Sequence, residues 1–134
     1  MKTPTSTAGL RGRIGEIAAA RYLFWRFYRI LERNWFFYHK EIDIIARRGR
    51  TLVICEVKTR TRADDSPSPY GSPSAAVTAA KETNLLQAAR GYIRAHGWKG
   101  RVRMDVIEVY LYPAEGRKRP RVRKIIHIKN AFTA

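Results

Sequence analysis

The sequence predicts a single α/β domain in which helices flank a central mixed sheet of about five strands, in the order α-β-β-β-α-β-β. Three observations support this class. The 134 residues suffice for one compact domain with one hydrophobic core. Hydrophobic residues make up 45% and charged residues 28%, which is typical of globular chains. Two segments have helical spacing and five have strand-like spacing. Residues 1–134 are therefore interpreted as one domain, with 1–8 as a loose N-terminus.

A helix and three strands are predicted in the first half. Apolar residues recur at helical spacing from Ala8 to about Phe27, with Leu10, Ile14, Ile17 and Ala18 on one stripe. Gly12 and Gly15 weaken this helix by roughly 1 kcal/mol each and leave room for close backbone approach. Strands follow over 28–35, 41–47 and 52–59, with a turn over 47–50. Three successive strands indicate an antiparallel meander, whose last strand is apolar enough for the centre of a sheet.

A loop, a helix and two strands complete the order. Residues 60–73 contain three prolines, which indicates a loop. Ser72 as N-cap and Pro73 in the first turn predict the start of a helix that runs to about His96. Gly97 is a suitable C-terminal stop. Strands are expected over 102–112 and 123–128, joined by a basic connection over 117–121.

Charge and cysteine content restrict the partners and the compartment. The 27 Lys and Arg exceed the 11 Asp and Glu by 16, which indicates a polyanionic partner, most simply nucleic acid. A ribosome-associated protein, an anionic membrane surface or simple solubility are alternatives that charge does not rank. No apolar run approaches the roughly 20 residues of a membrane span, and no apolar segment of signal-peptide length follows Lys2. The single cysteine, Cys55, excludes an intrachain disulfide and favours the cytoplasm.

Two acids and a lysine are the strongest candidates for chemistry. Glu56 and Lys58 share a face because residues i and i+2 of a strand project together. If Arg48-Gly49 forms a two-residue turn, Asp43 lies opposite Ile54 and therefore on that same face, diagonal to Glu56 at roughly 7–8 Å. A four-residue loop over 47–50 preserves this pairing, whereas a three-residue loop without a bulge would place Asp43 on the other face. The expected register thus brings all three side chains together.

This set of side chains suits phosphodiester hydrolysis. Two carboxylates can hold a hard cation such as Mg²⁺, which keeps waters and binds phosphate oxygens. A bound cation lowers the pKa of its water, and the Lys58 ammonium can neutralise developing negative charge. The alternative is a purely structural Glu56–Lys58 pair, since Glu-x-Lys is common. The apolar strand around Glu56 favours a functional interpretation, because burying a charge there is costly.

Together these residues resemble the core motif of the PD-(D/E)XK nuclease superfamily. More closely, the chain is similar to the YraN family of bacterial proteins, relatives of the archaeal Holliday junction resolvases. The matching segments are 12–16, 41–46, 53–60, Tyr70-Gly71, Ala76-Val77 with Lys81, and 103–106. One departure is His39-Lys40 before Glu41, where the family usually has glycine.

The resemblance implies a restriction-endonuclease-like fold and a metal-dependent, endonuclease-like hydrolase of nucleic acid, with branched DNA as one substrate type. Mg²⁺ or Mn²⁺ is the implied cofactor. Asp43 and Glu56 match the metal-binding acids, and Lys58 matches the catalytic lysine. Glu16 matches a first-helix glutamate that contributes to the metal site, with a solvated helix face as the equal alternative. Glu41 lies two residues before Asp43 and therefore on the same face of the strand. It is expected to contact the metal ligands without binding the metal itself.

Five basic residues are expected to contact nucleic acid: Arg60, Lys81, Arg117, Lys118 and Arg119. Their alternative is a solvated surface. DNA is favoured over RNA, no membrane partner is expected, and the similarity to resolvases is compatible with a homodimer. The rival function is a non-catalytic nucleic-acid-binding module that retains the nuclease fold, and a third is an assembly or ribosome-associated protein. Asp105 is expected to pair with Arg103, and the three tryptophans are expected to serve the core or a dimer contact and not to stack on bases.

Overall fold

The computed structural model describes residues 7–66, 78–116 and 119–132, and it contains two helices and a five-stranded sheet. The elements are α1 (Thr7–Phe24), β1 (Arg29–Phe37), β2 (Lys40–Arg48), β3 (Thr51–Thr61), α2 (Ala79–His96), β4 (Arg101–Leu111) and β5 (Val122–Phe132). This order confirms the predicted α-β-β-β-α-β-β sequence of elements. Within the described residues, neither helix is long and apolar enough to cross a membrane.

The sheet is mixed, as predicted. Its strands lie in the spatial order β1-β2-β3-β4-β5. The pairs β1–β2, β2–β3 and β4–β5 are antiparallel, whereas β3 and β4 are parallel. Parallel neighbours need a long crossover connection, and the connection here contains α2. The predicted meander is confirmed, and the architecture agrees with a restriction-endonuclease-like fold.

The β2–β3 hairpin has a different register from the predicted one. Its ladder runs from Arg48↔Thr51 to Ile44↔Cys55, so Gly49 and Arg50 form the turn. Gly49 has a φ of 61°, which a glycine adopts readily at the first central position of a two-residue hairpin turn. The ladder pairs Ile54 with Ile45, so the predicted pairing of Asp43 with Ile54 is wrong. The ladder ends at Ile44↔Cys55, and Ile42 beyond it packs on the face of Ile45 instead of that of Ile44, so the regular alternation of the strand is interrupted at Asp43.

The two helices cover opposite faces of the sheet. On one face, α1 buries Ile14, Ala19 and Leu23 against odd-numbered residues of β3 and β4. On the other, α2 buries its inward residues against even-numbered ones of the same strands. The α2 residues are Leu85, Ala88, Ala89 and Tyr92, and the strand residues include Leu52, Ile54, Met104 and Val106. Two core layers result, and the central strands β3 and β4 contribute to both.

The approach of α1 to β3 is close at one of the two expected glycines. A Cβ atom at Gly15 would overlap the side chain of Thr59, so this glycine permits the contact. No described atom lies within 4 Å of a Cβ built at Gly12, so the same expectation is wrong there. The predicted α1 stripe is also wrong in part, because Leu10 is 39% exposed. Small residues, not a continuous apolar stripe, set this packing.

Helix α2 begins later than predicted. Thr78 is its N-cap, and its Oγ1 accepts a hydrogen bond from the main-chain N–H of Lys81 at 3.2 Å. The predicted start at Ser72 and Pro73 is therefore not the start of α2, and both residues lie outside the described part of the chain. Gly97 ends the helix with a φ of 65°, as predicted.

Candidate functional site

Asp43 and Glu56 form a buried pair of carboxyl groups in the β2–β3 hairpin. Asp43 is 8% exposed and Glu56 is 3% exposed. The hairpin ladder is recorded up to Ile44↔Cys55, and just beyond it the Oδ2 of Asp43 accepts a hydrogen bond from the main-chain N–H of Val57 at 2.8 Å. The side chain of Asp43 thereby occupies the place of a main-chain acceptor and is held against β3. The hairpin brings the two predicted acids close together.

Two lysines approach Glu56. The Nζ of Lys58 lies 3.6 Å from the Oε1 of Glu56, and the Nζ of Lys81, from the first turn of α2, lies 3.3 Å from the same oxygen. The lysine side chains remain 31% and 42% exposed. The other oxygen of Glu56, Oε2, is buried and has no hydrogen-bond partner within the described residues. One oxygen of this carboxylate therefore has two cationic partners, and the other has no hydrogen-bond partner within the described residues.

The electrostatics of the pair disfavour two negative charges. Burial raises the pKa of Asp43 to about 8, with help from the charges of Glu56, Glu16 and Glu41 and against the hydrogen bond from Val57. Burial also raises the pKa of Glu56, although the charges of Lys81 and Lys58 oppose that rise. A cation between the two carboxylates would remove their mutual repulsion. The pair is therefore unfavourable when both carboxyl groups are ionised.

Glu16 and Glu41 lie next to this pair and are joined by Asn34. The Nδ2 of Asn34 donates to the Oε1 of Glu16 at 2.7 Å and to the Oε2 of Glu41 at 3.2 Å. In the described part of the chain, no three His, Cys, Asp or Glu side chains form a group able to hold a metal ion. Asn34 was not predicted as a site residue. Its φ in the structure is 51°, a positive value that asparagine adopts more readily than most residues, and the residue type was the only hint in the sequence.

Glu108 is a further buried acid of this region that sequence reasoning missed. It is 1% exposed, it lies beside Lys58 in the parallel β3–β4 register, and its Oε1 is 2.9 Å from the Nε of Arg60. The signal was an acid between Ile107 and Val109 in an apolar strand. Arg60, expected to contact nucleic acid, is thus directed towards a buried carboxylate.

The other predicted phosphate contacts are dispersed. Lys81 is paired with Glu56, as described above, and Arg119 is exposed. Arg117 and Lys118 lie outside the described residues, as do Tyr70 and Gly71.

An open cavity of about 500 Å³ lies beside the acids. Its lining includes Glu16, Arg60 and Thr59 but not Asp43, Glu56 or Lys58.

The remaining buried aspartate, Asp105, has a structural environment. Its carboxylate accepts two hydrogen bonds of 2.9 Å from Arg103, as the sequence predicts, and one from the main-chain N–H of Asn130 at 2.9 Å. The Nε2 of His127 is 2.6 Å away. Burial alone would raise the pKa of Asp105, but the hydrogen bonds from His127 and Arg103 lower it. Asp105 is therefore a satisfied ion-pair partner, in contrast to Asp43.

The fold is a restriction-endonuclease-like α/β fold, and the β2–β3 hairpin carries Asp43, Glu56 and Lys58. Residues 15–109 match the family described as Uncharacterised protein family UPF0102. The chain is 44% identical to a UPF0102 protein of Chlorobium chlorochromatii over 132 residues, which cover 98% of this chain and 97% of that protein. It is 39% identical to a UPF0102 protein of Caldanaerobacter subterraneus over 122 residues, or 90% and 93% of the two chains. A UPF0102 protein of Symbiobacterium thermophilum is 44% identical over 92% of this chain and 96% of its own.

The chain belongs to the UPF0102 family. This is the family that the resemblance to YraN proteins indicated, and that recognition is confirmed.

Proposed function

We propose that this UPF0102 protein is a metal-dependent nucleic-acid phosphodiester hydrolase of PD-(D/E)XK type, endonuclease-like and suited to branched DNA. One observation carries the proposal: the hairpin buries Asp43 and Glu56 as neighbours and leaves Lys58 beside Glu56 with its ammonium partly exposed. Burying two acids without a partner is costly, so such a pair needs a compensating use. The charge of +16 supports a polyanionic substrate.

The side chains present fit Mg²⁺ or Mn²⁺. The buried, unpartnered Oε2 of Glu56 and the raised pKa of Asp43 both describe a site that gains from a cation. Asp43 and Glu56 would hold it, and Glu16 would join them only on leaving its hydrogen bond with Asn34. Mg²⁺ commonly takes only one or two carboxylates and completes its shell with water and phosphate oxygens. When bound, the cation supplies Lewis acidity and a water of lowered pKa.

The chain's own residues supply positioning and charge. Lys58 can donate hydrogen bonds to a phosphate oxygen or to the attacking water, because its ammonium lies at the edge of the acid pair. Lys81 holds the Oε1 of Glu56 from α2 and so fixes the direction in which Oε2 points. Asp43 is anchored by the N–H of Val57, which leaves its second oxygen for the cation.

A non-catalytic nucleic-acid-binding module is the second candidate. The observation that favours it is the absence of a three-acid metal group within the described residues, with Glu16 bound to Asn34 instead. A carboxyl with the raised pKa of Asp43 is largely neutral at pH 7 and repels phosphate little.

Cleavage assays separate the two candidates. The full chain is incubated with four-way junction, duplex and single-stranded DNA, and with RNA, in Mg²⁺, Mn²⁺ or EDTA. We expect metal-dependent cleavage that falls at least about 100-fold in Lys58→Ala and in Glu56→Gln. Lys129→Ala, which removes an exposed lysine of β5, is the matched control and should retain activity.

Two results would refute catalysis: no cleavage of any substrate, or cleavage that persists in Lys58→Ala. Salt-sensitive binding that survives Asp43→Ala and Glu56→Ala without metal-dependent turnover would support the binding module.

A further inference from the structure

The end of the sheet that carries the β2–β3 turn contains an open basic cleft. Arg50, Thr51, Lys99, Gly100 and Arg101 line a volume of about 550 Å³. The main-chain N–H of Arg101 donates to the carbonyl of Arg50 at 2.8 Å and joins the turn to the start of β4. The side chains of Arg50, Lys99 and Arg101 are exposed, and none has a carboxylate partner in the part of the chain that the structure describes. Three unneutralised cations around one cleft are suited to phosphate groups.

Large aromatic side chains are exposed at the C-terminal end of α1. Phe24 is 61% exposed, Trp25 74% and Phe27 87%. The rings of Phe24 and Trp25 meet edge to face with their centroids 5.5 Å apart. Adjacent large apolar side chains in solvent typically mark an interaction site. Trp25 is not a core residue, so that part of its predicted role is wrong.

The aromatic side chains and the cleft belong to one end of the molecule. The Nη1 of Arg48 donates to the carbonyl of Arg26 at 3.4 Å, and its guanidinium lies 4.5 Å from the ring centroid of Tyr28. Arg48 immediately precedes the hairpin turn that contains Arg50. We call this area the hairpin-end surface and define it by Phe24, Trp25, Phe27, Arg50, Lys99 and Arg101.

The hairpin-end surface is separate from the acid pair. Thr51 and Glu56 are both in β3, five residues apart. At about 3.3 Å per residue of extended strand, the cleft is roughly 16 Å from Glu56. A ligand at the cleft therefore does not contact the acids through the same phosphate.

We propose that the hairpin-end surface is a second nucleic-acid binding surface, with phosphates in the cleft and unpaired bases stacked on the exposed rings. Cations that track a backbone, combined with aromatic side chains for stacking, are the usual means of holding single strands. The open cleft lined by three cations fits a chain of phosphates. This binding requires neither metal nor hydrolysis, so it goes beyond the proposed function and is tested independently of it.

Fluorescence anisotropy in EDTA tests the proposal. The probes are a labelled 20-nucleotide oligothymidine and a labelled 20-base-pair duplex, titrated with the full chain from 50 to 300 mM salt. The triple variant R50A/K99A/R101A removes the cleft cations, and R13A/R33A/R90A removes three exposed arginines elsewhere. Both variants carry a net charge of 16 − 3 = +13. Trp25→Ala with Phe27→Ala removes the two most exposed of the three aromatic rings.

We expect the cleft variant to bind the oligothymidine at least tenfold more weakly at 100 mM salt. The slope of log affinity against log salt should also fall by about 2, because single strands lose about 0.7 per phosphate contact. The control variant should change by less than threefold. The aromatic variant should lose at least fivefold for the oligothymidine and less than twofold for the duplex.

Three outcomes would overturn the proposal. The first is equal binding by the cleft and control variants. The second is an aromatic variant that binds oligothymidine like the wild type. The third is the finding that the substitutions in the hairpin-end surface abolish binding to phosphatidylglycerol vesicles but leave the affinity for both nucleic-acid probes unchanged. That result would identify a membrane contact. Far-UV circular dichroism verifies that each variant folds, as is expected for exposed positions.

Discussion

Replacing Asp43 by asparagine should stabilise the protein at neutral and alkaline pH. Asparagine has nearly the same shape, and its Oδ1 can still accept the hydrogen bond from the N–H of Val57. It carries no charge, so it avoids the burial of a carboxylate beside Glu56. Removing a buried side-chain charge from a native protein usually destabilises it, so the opposite sign is a sharp test of how this site is built.

The pH dependence follows from proton linkage. The pKa of Asp43 is about 8 in the folded chain against 3.8 in the unfolded chain. Between these values the folded state binds more protons, so the free energy of unfolding falls as pH rises from about 4 to about 8. At about 1.4 kcal/mol per pH unit, the full cost of ionising Asp43 is on the order of 5 kcal/mol. Because the coupled pair shares this cost, we expect Asp43→Asn to gain at least about 2 kcal/mol at pH 8.

Urea unfolding followed by tryptophan fluorescence measures the effect. Wild type and Asp43→Asn are compared in EDTA at pH 5 and pH 8, and we expect the variant to have the flatter pH dependence. Glu115→Gln, which removes an exposed negative charge, is the matched control and should stay within about 0.5 kcal/mol of wild type. The reasoning is refuted if Asp43→Asn is no more stable than wild type at pH 8, or if both lose stability equally between the two pH values.

Three further predictions concern the other acid sites and the helix contact. Asp105→Asn should destabilise the fold by about 3 kcal/mol at pH 7, because it leaves the half-buried Arg103 without its buried anion. The stability that Asp105 contributes to the wild type should be lost as pH falls through its lowered pKa, and thermal unfolding against pH would show neither effect if the pair were unimportant. Calorimetric titration should show that Mn²⁺ binds more tightly at pH 8 than at pH 6, because Asp43 loses its proton over this range. Glu56→Gln should show no Mn²⁺ binding. A Mn²⁺ affinity that does not change with pH would contradict the proposed metal site. Gly15→Ala should lower the free energy of unfolding by about 1–3 kcal/mol, because the added methyl group overlaps Thr59 of β3. Gly12→Ala should raise the free energy of unfolding by about 0.5–1 kcal/mol, because its surroundings are open. Equal effects of the two substitutions in chemical unfolding would disprove the close approach of α1 to β3.

The proximity of Asp43 to Glu56 was predictable because a two-residue change in pairing still leaves the two residues near each other on neighbouring strands. The sequence offers two turns in 47–50, and local preferences do not decide between Arg48-Gly49 and Gly49-Arg50. Both turns bring Asp43 close to Glu56. The exact neighbours of Asp43 required the structure, because the chosen turn depends on the packing of the whole hairpin.

Contacts between distant segments were not predictable in the same way. Asn34 meets Glu16 and Glu41 only because β1 and α1 lie side by side, and no spacing in the sequence records that. The burial of α1 was also misjudged, since its small residues permit close packing that hydrophobic periodicity does not register. Glu108 reached its position through the parallel β3–β4 pairing, which periodicity alone leaves open.

The parallel pairing of β3 with β4 also predicts the order in which the elements assemble during folding. Strands β1, β2 and β3 are joined by short connections, so they can associate at small loop-closure cost. Parallel docking of β4 must wait for the long crossover that contains α2, and non-local pairings of this kind are slow. The acids therefore come from the early-forming hairpin, whereas Lys81 comes from the late crossover. During folding, Asp43 and Glu56 should therefore come into proximity before Lys81 of α2 pairs with Glu56.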